Sequence, residues 1–296
     1  MDDGSADKLP QICDEYARKD SRIVVIHQKN QGQAVARNKA LDIYKGDYIS
    51  FIDSDDYVNP QMLEILLNII KASDSDVAVC GYIQGEEDSH NWKTKSSSLE
   101  TRTYKGKDFV RKCILENNHR CWLLCDKLYK REVFAKIRLP EGRIYEDSAT
   151  MYRLLYNTDK VINCNSVLYY YFENCDSTVD KQFSLKRLDI LIFIQEMIEF
   201  FTENDEKELL DWAILDWANR YYLFTIADLY IKANKSNLDS SILKELKRKL
   251  KSHYHQEKVK YPITIKTYPQ VFEVLHPKYS KYYWLFKALV NKIRRF

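Results

Sequence analysis

The sequence predicts an α/β fold, a sheet flanked by helices, followed by a helical C-terminal region. Three observations support this. Helical and strand periods alternate from the start to about Tyr82, the order that winds a parallel sheet between helices. The run Phe51-Ile52-Asp53-Ser54-Asp55-Asp56 places three carboxylates at the end of a short apolar strand, where such sheets hold their ligands. From Leu185 onward, apolar residues recur at helical spacing.

Taken in order, Lys8 to Arg18 reads as a helix, Ile23 to His27 as a strand, Gln33 to Tyr44 as a helix and Tyr48 to Ile52 as a buried strand. Pro60 to Ala72 and Val77 to Tyr82 repeat the helix-strand alternation. The polar stretch Gln84 to Thr103, rich in Glu, Ser, Lys and Thr, is expected to be a surface loop or ragged hairpin. Helices are expected near Lys107 to Glu116, Lys130 to Ala135 and Asp147 to Tyr156, with strands at Val161 to Asn163 and Val167 to Phe172. The helical region carries apolar stripes at Leu188, Leu191, Ile192 and Ile198, at Leu210, Ile214, Trp217 and Tyr221, and at Leu243, Leu246 and Leu250. The expected division is a sheet domain over 1–182 and a helical region over 183–296.

The chain has 296 residues, enough for a substantial core, and 45% of them are hydrophobic. With 7 Gly and 6 Pro against 22 Tyr and 12 Phe, long regular elements are favoured over loop-rich architecture. A net charge of +3 is too small to create a strong field for nucleic acid, so no nucleic-acid partner is expected. Seven irregularly spaced cysteines, with no signal peptide or long apolar run, point to a reducing cytoplasm. Cys121 and Cys125 with His119 lack the second ligand pair of a zinc site, so they read as buried thiols.

Crowded carboxylates repel unless a cation lies between them, and a divalent metal with oxygen ligands is the usual solution. An EF-hand reading aligns Asp53, Asp55 and Glu64 but puts Val58 at the glycine turn and Tyr57 at a ligand position, and fails there. Tyr57 also spoils the pattern of phosphatases with an Asp-x-Asp nucleophile.

Four motifs agree in order: Asp2-Asp3-Gly4-Ser5, Ala36-Arg37-Asn38-Lys39-Ala40-Leu41 on a helix, Phe51 to Asp56, and Glu146-Asp147 opening a helix. Together they resemble glycosyltransferase family 2, the nucleotide-sugar transferases of GT-A fold, over residues 2 to about 180. Supporting stretches are Ile12 to Tyr16, Lys45 to Ile49 and Lys127 to Lys130. The resemblance implies a Rossmann-like mixed sheet and inverting transfer of a sugar from a nucleoside diphosphate, uridine-linked by expectation. A glycan or lipid-linked acceptor in cell-surface polysaccharide synthesis is implied as well. It assigns Asp147 as general base with Glu146 beside it. Asp2, Asp3, Arg37 and Asp53 fall on the donor side, with Asp3 at the nucleobase and Arg37 lining that pocket. Asp53 and Asp55 fall at a Mn or Mg ion, with Asp53 nearer the ribose and Asp55 nearer the metal; Asp56 could orient either. Structural readings stand beside these: acidic residues stabilise any helix N-terminus, and a lone helix arginine is often a surface charge.

Two departures accompany the resemblance. Family members begin one β-α-β unit before the Asp-Asp-Gly-Ser motif, so the expectation is a longer true start, a split gene or a decayed remnant. A non-catalytic remnant or partner-binding subunit is the alternative function. Weak donor binding by the chain as given follows, and micromolar uridine-nucleotide affinity would contradict it. After Tyr169-Tyr170-Tyr171, Asn174 stands where a cation often meets the diphosphate, with Lys181 or Lys186 as substitutes. The aromatic and basic segment 279–296 fits either a helix docked on the core or peripheral contact with the inner face of an anionic membrane.

Overall fold

A computed structural model describes residues 1–85, 99–116, 118–172, 186, 189–210, 226–227, 230–231, 241, 244–245 and 247–248. Two compact units are present, Met1–Ser177 and Thr178–Phe296. The first contains α1 (Leu9–Lys19), α2 (Gln33–Ile43), β1 (Tyr48–Ile49), β2 (Tyr57–Val58), α3 (Met62–Ser73), β3 (Val77–Gly85), β4 (Thr101–Tyr104), α4 (Gly106–Leu115), β5 (Lys127–Lys130), α5 (Glu146–Tyr156) and β6 (Val161–Phe172). The second contains α6 (Asp189–Glu203).

The sheet runs β1-β5-β3-β6-β2, and β4 pairs with β6. β3 and β6 are parallel; the β1–β5, β3–β5, β2–β6 and β4–β6 pairs are antiparallel. Val77 to Cys80 are fully buried, because a central strand covered on both faces reads as an unbroken apolar run. On one face, Met62, Leu66, Ile69 and Ile70 of α3 pack with Ala78, Cys80, Leu128, Ile162 and Cys164. That spacing is one stripe of a 3.6-residue helix. On the other face, Tyr129 alternates away from Leu128 and its hydroxyl reaches Met151 of α5, 3.8 Å away. The α6 helix buries Ile190, Phe193, Ile194, Met197 and Phe201 at the same period.

Gly106 opens α4 where a side chain cannot fit: an added Cβ would lie 1.9 Å from the Leu155 carbonyl oxygen and 2.3 Å from that of Thr158. Both obstacles are backbone, so neither can swing aside. Gly106→Ala is expected to destabilise the protein by about 3 kcal/mol, the upper end for overpacking, as read by urea denaturation. An effect below about 0.5 kcal/mol would show that α4 and α5 are not packed this closely.

Several expected elements differ in the structure. The predicted strand Ile23 to His27 is reduced to an isolated parallel bridge, Asp2 to His27. Val24 is 73% exposed, so this segment has no buried face to hold it in a ladder. The expected helix near Lys130 to Ala135 is the end of β5 followed by a 3₁₀ turn, Arg131–Phe134. The Arg131 amide donates to the Asp47 carbonyl (2.8 Å), which draws the chain along the sheet before a helix can start. Val161 to Phe172 is one strand with an irregularity: Val79 pairs Asn163 while Gly81 pairs Val167, so extra β6 residues bulge opposite Gly81. Within the expected loop Gln84 to Thr103, Thr101–Tyr104 forms β4; 86–98 lie outside the described residues. So do Ile214, Trp217, Tyr221, Leu243, Leu246, Leu250, Asn174, Lys181 and the segment 279–296.

The first residues are tied down by charge. His27 lies between Asp2 (Nδ1 to Oδ2, 2.8 Å) and Asp14 of α1 (Nε2 to Oδ1, 3.0 Å). Hydrogen bonds to Asp2 and then Asp14 raise the His27 pKa above its ordinary 6.5. The folded state therefore holds this proton more tightly than the unfolded chain. The resulting stability is complete below about pH 6.5 and is lost as pH rises through the folded value. The Gln28 amide, which donates to the Asp2 carbonyl, should lose hydrogen-exchange protection across that rise, after correction for intrinsic exchange. The same pH dependence in His27→Gln would assign it to another group.

Candidate active site

The acidic loop begins where β1 runs out and ends where β2 rejoins the sheet beside Tyr169 and Tyr170. A turn closes it, with the Asp56 amide donating to the Asp53 carbonyl (3.1 Å). Arg37 of α2 reaches this loop from the neighbouring layer. Its guanidinium donates to Asp53 Oδ1 (2.6 Å) and to Glu146 Oε1 (2.5 Å) at the start of α5. Burial opposes the Arg37 charge, but Asp53 and Glu146, with Asp147 nearby, keep it firmly protonated. Residues 16 and 109 positions away from Arg37 in sequence thus meet on one side chain.

Asn38, the next residue of α2, explains how α5 is brought within reach. It is buried, its Nδ2 donates to the Leu139 carbonyl (2.9 Å) and its Oδ1 accepts the Leu139 amide (2.9 Å). This clip fixes the segment leading to α5. Its position inside the Ala-Arg-Asn motif was readable in the sequence, but its partner 101 residues away was not.

Glu146 is buried and bound to Arg37; Asp147 is partly buried and keeps a free oxygen among the described residues, accepting only the Ser148 amide at Oδ1 (2.7 Å). Burial, followed by repulsion from Glu146, pushes the Asp147 pKa up to about 6. Asp56 is likewise pushed up to about 6, by burial first and then by Asp53 and Asp55. Asp55 is exposed and makes no hydrogen bond or ion pair among the described residues. Among the described residues, Arg37 thus faces Asp53, Glu146 and Asp147, and Asp55 and Asp56 add two more carboxylates beside Asp53.

That imbalance fits a hard divalent cation. Asp53 Oδ2 and the Asp55 carboxylate carry no partner among the described residues, so these two would hold it. One oxygen each of Asp53 and Asp56 also lies within 4.8 Å of the Cys125 thiol. This set fits a cation less well. Both Asp56 oxygens are engaged, by the Tyr169 hydroxyl and the Phe172 amide, and burial pushes the Cys125 thiol well up.

The structure joins Arg37, Asp53, Glu146 and Asp147, but no hydrogen bond or ion pair links Asp2 or Asp3 to them among the described residues. Asp2 is buried and accepts from Ser5 and His27. Asp3 accepts Gln28 Nε2 (2.6 Å) and the amides of Gln31 (2.8 Å) and Gly32 (2.8 Å), shaping the entry to α2. Gly4 lets these two carboxylates sit here: at φ +75°, an added Cβ would lie 2.7 Å from the Asn30 amide nitrogen.

The family model for glycosyl transferase family 2 matches residues 1–138. The glycosyltransferase GlyG of Streptococcus pneumoniae is 30% identical over 220 residues, 69% of this chain and 67% of GlyG. This chain belongs to glycosyl transferase family 2. EpsH of Bacillus subtilis, also named a glycosyltransferase, is 32% identical over 70% of this chain and 61% of its own length. The family 2 chain thus spans about two thirds of these relatives. The crystal structure of S. aureus TarS superposes with a TM-score of 0.50 at 18% identity, covering 88% of this chain and 48% of TarS. The fold is GT-A, a mixed sheet flanked by helices, and the class of enzyme is glycosyltransferase. Among the described residues, no helix is long and apolar enough to cross a membrane.

Proposed function

We propose that this chain carries the donor, metal and base groups of an inverting glycosyltransferase using a nucleoside diphosphate sugar. The observation that carries the reading is the Arg37 bridge, which joins the Asp53 loop to the helix start bearing Glu146 and Asp147. It supports reading Asp147, next to Glu146, as the general base of a site whose metal end is the Asp53 loop.

A divalent cation on Asp53 and Asp55 would supply Lewis-acid stabilisation of the departing diphosphate. The protein's residues do the rest. Asp147 accepts the proton of the acceptor hydroxyl as its oxygen bonds to the anomeric carbon from the face opposite the leaving group. The bond from that carbon to the phosphate oxygen breaks, and the nucleoside diphosphate leaves with the electron pair. Glu146 anchors Arg37, and Arg37 fixes Asp53. On the family pattern we assign Asp2 and Asp3 to the donor side, Asp3 at the nucleobase, while Asp2 also holds Ser5 and His27. Uridine-linked donors are the first to test, and the acceptor is a glycan or lipid-linked glycan.

Asp55→Ala tests the metal assignment in the full-length protein. Free Mn²⁺ measured by electron paramagnetic resonance should show affinity lowered at least tenfold, with thermal stability unchanged because Asp55 is exposed and has no partner among the described residues. Unaltered Mn²⁺ affinity would remove Asp55 from the site.

A further inference from the structure

Asp55 has no partner among the described residues, so the rest of its loop must hold it in place. Upstream, the Asp53 amide donates to the Tyr169 hydroxyl (3.2 Å). Downstream, that hydroxyl donates its one proton to Asp56 Oδ2 (2.5 Å), and the Phe172 amide donates to Asp56 Oδ1 (2.9 Å). The chain then pairs directly with β6, Tyr57 opposite Tyr170 and Val58 opposite Tyr169, and the Asn59 amide donates to the Leu168 carbonyl (2.9 Å). Tyr169 is fully buried, and its ring belongs to the core under α3. One rigid hydroxyl therefore clasps both ends of the turn that displays Asp53 and Asp55.

We propose that Tyr169 and Asp56 form a positioning pair that presents Asp53 and Asp55 to the divalent cation, and that neither binds the cation itself. This rests on the metal assignment above. Each Asp56 oxygen already accepts one hydrogen bond, from Tyr169 or from Phe172, and has one lone pair left, whereas Asp53 Oδ2 and the Asp55 carboxylate have no partner among the described residues. A buried hydroxyl bonded to a carboxylate also resists the rotation that repulsion from Asp53 and Asp55 would otherwise drive.

The test is Mn²⁺ affinity, by the same resonance titration, in the full-length protein and in Tyr169→Phe, Asp56→Asn and the double variant. Each single change should weaken Mn²⁺ about tenfold, ~1.4 kcal/mol. The double variant should be no weaker than the worse single, because both changes open one clasp. Raising Mn²⁺ should restore turnover in Tyr169→Phe, an outcome that mere loss of folded protein would not give. Unchanged affinity in Tyr169→Phe would overturn the proposal. So would a far larger loss in Asp56→Asn with additive losses in the double variant, the pattern of a direct ligand. Failure of the metal assignment itself would show separately, as unaltered affinity in Asp55→Ala.

Discussion

Asp147→Asn is expected to lower kcat by about 10³-fold, within the range for loss of a general base. Mn²⁺ affinity and donor binding should stay within about twofold. The amide fills the same space and keeps an oxygen for the Ser148 amide, so the start of α5 survives. Only the capacity to accept a proton is lost. In the wild-type protein burial and Glu146 place this group at about 6. The base works ionised, so kcat should rise with pH through about 6 and level off above it. That limb should vanish in the variant. Loss of donor or Mn²⁺ binding in Asp147→Asn would make Asp147 a structural residue, and an unchanged kcat would assign the base elsewhere.

Arg37→Met should destabilise the protein as much as Gly106→Ala. The side chain is 16% exposed and its partners Asp53 and Glu146 are 31% and 8% exposed, so deletion strands two poorly solvated carboxylates. Breaking a buried pair costs about 3–5 kcal/mol, and the partial exposure of Asp53 argues for the lower end. For a chain of this size ~3 kcal/mol lowers Tm by about 6–12 °C. Adding Glu146→Gln should recover part of the loss by removing one of the two charges. A Tm within about 1 °C of wild type at pH 7 would mean that solvent, not Arg37, neutralises this pair.

The readable parts of the fold share a cause. Met62, Leu66, Ile69 and Ile70 repeat at helical period and Val77 to Cys80 form an unbroken apolar run, so burial had already written α3 and β3 into the residues. The misread parts were decided by partners distant in sequence. Thr101 to Tyr104 is polar because β4 is largely exposed, and it is a strand because Val161 to Cys164 pair with it. Lys130 to Ala135 contains good helix formers, but pairing with β1 holds Lys130 extended and the Arg131 amide is taken by the Asp47 carbonyl, leaving room only for a 3₁₀ turn.

The site divides the same way. The Asp53 to Asp56 run and the Glu146-Asp147 pair stand out as local charge clusters, and their spacing carried the family resemblance. The acidic pair at Asp2 and Asp3 also stood out, but in the structure its oxygens mainly brace residues 5 and 27–32. Arg37 was visible as a helix arginine, yet its two partners come from different layers, and no local pattern predicts that. Tyr169 looked like one of three strand tyrosines. Only the return of β2 along β6 gives its hydroxyl two ends of one loop to hold.

The most direct test of metal-assisted transfer is release of nucleoside diphosphate from uridine-linked sugars by the full-length protein. It is measured with Mn²⁺, after chelation, after Mn²⁺ is restored, and in Asp55→Ala. The expected result is release with Mn²⁺, its loss on chelation, its return with the metal, and at least a hundredfold reduction in Asp55→Ala. Release that continues undiminished in the chelator or in Asp55→Ala would contradict the role given to Asp53 and Asp55.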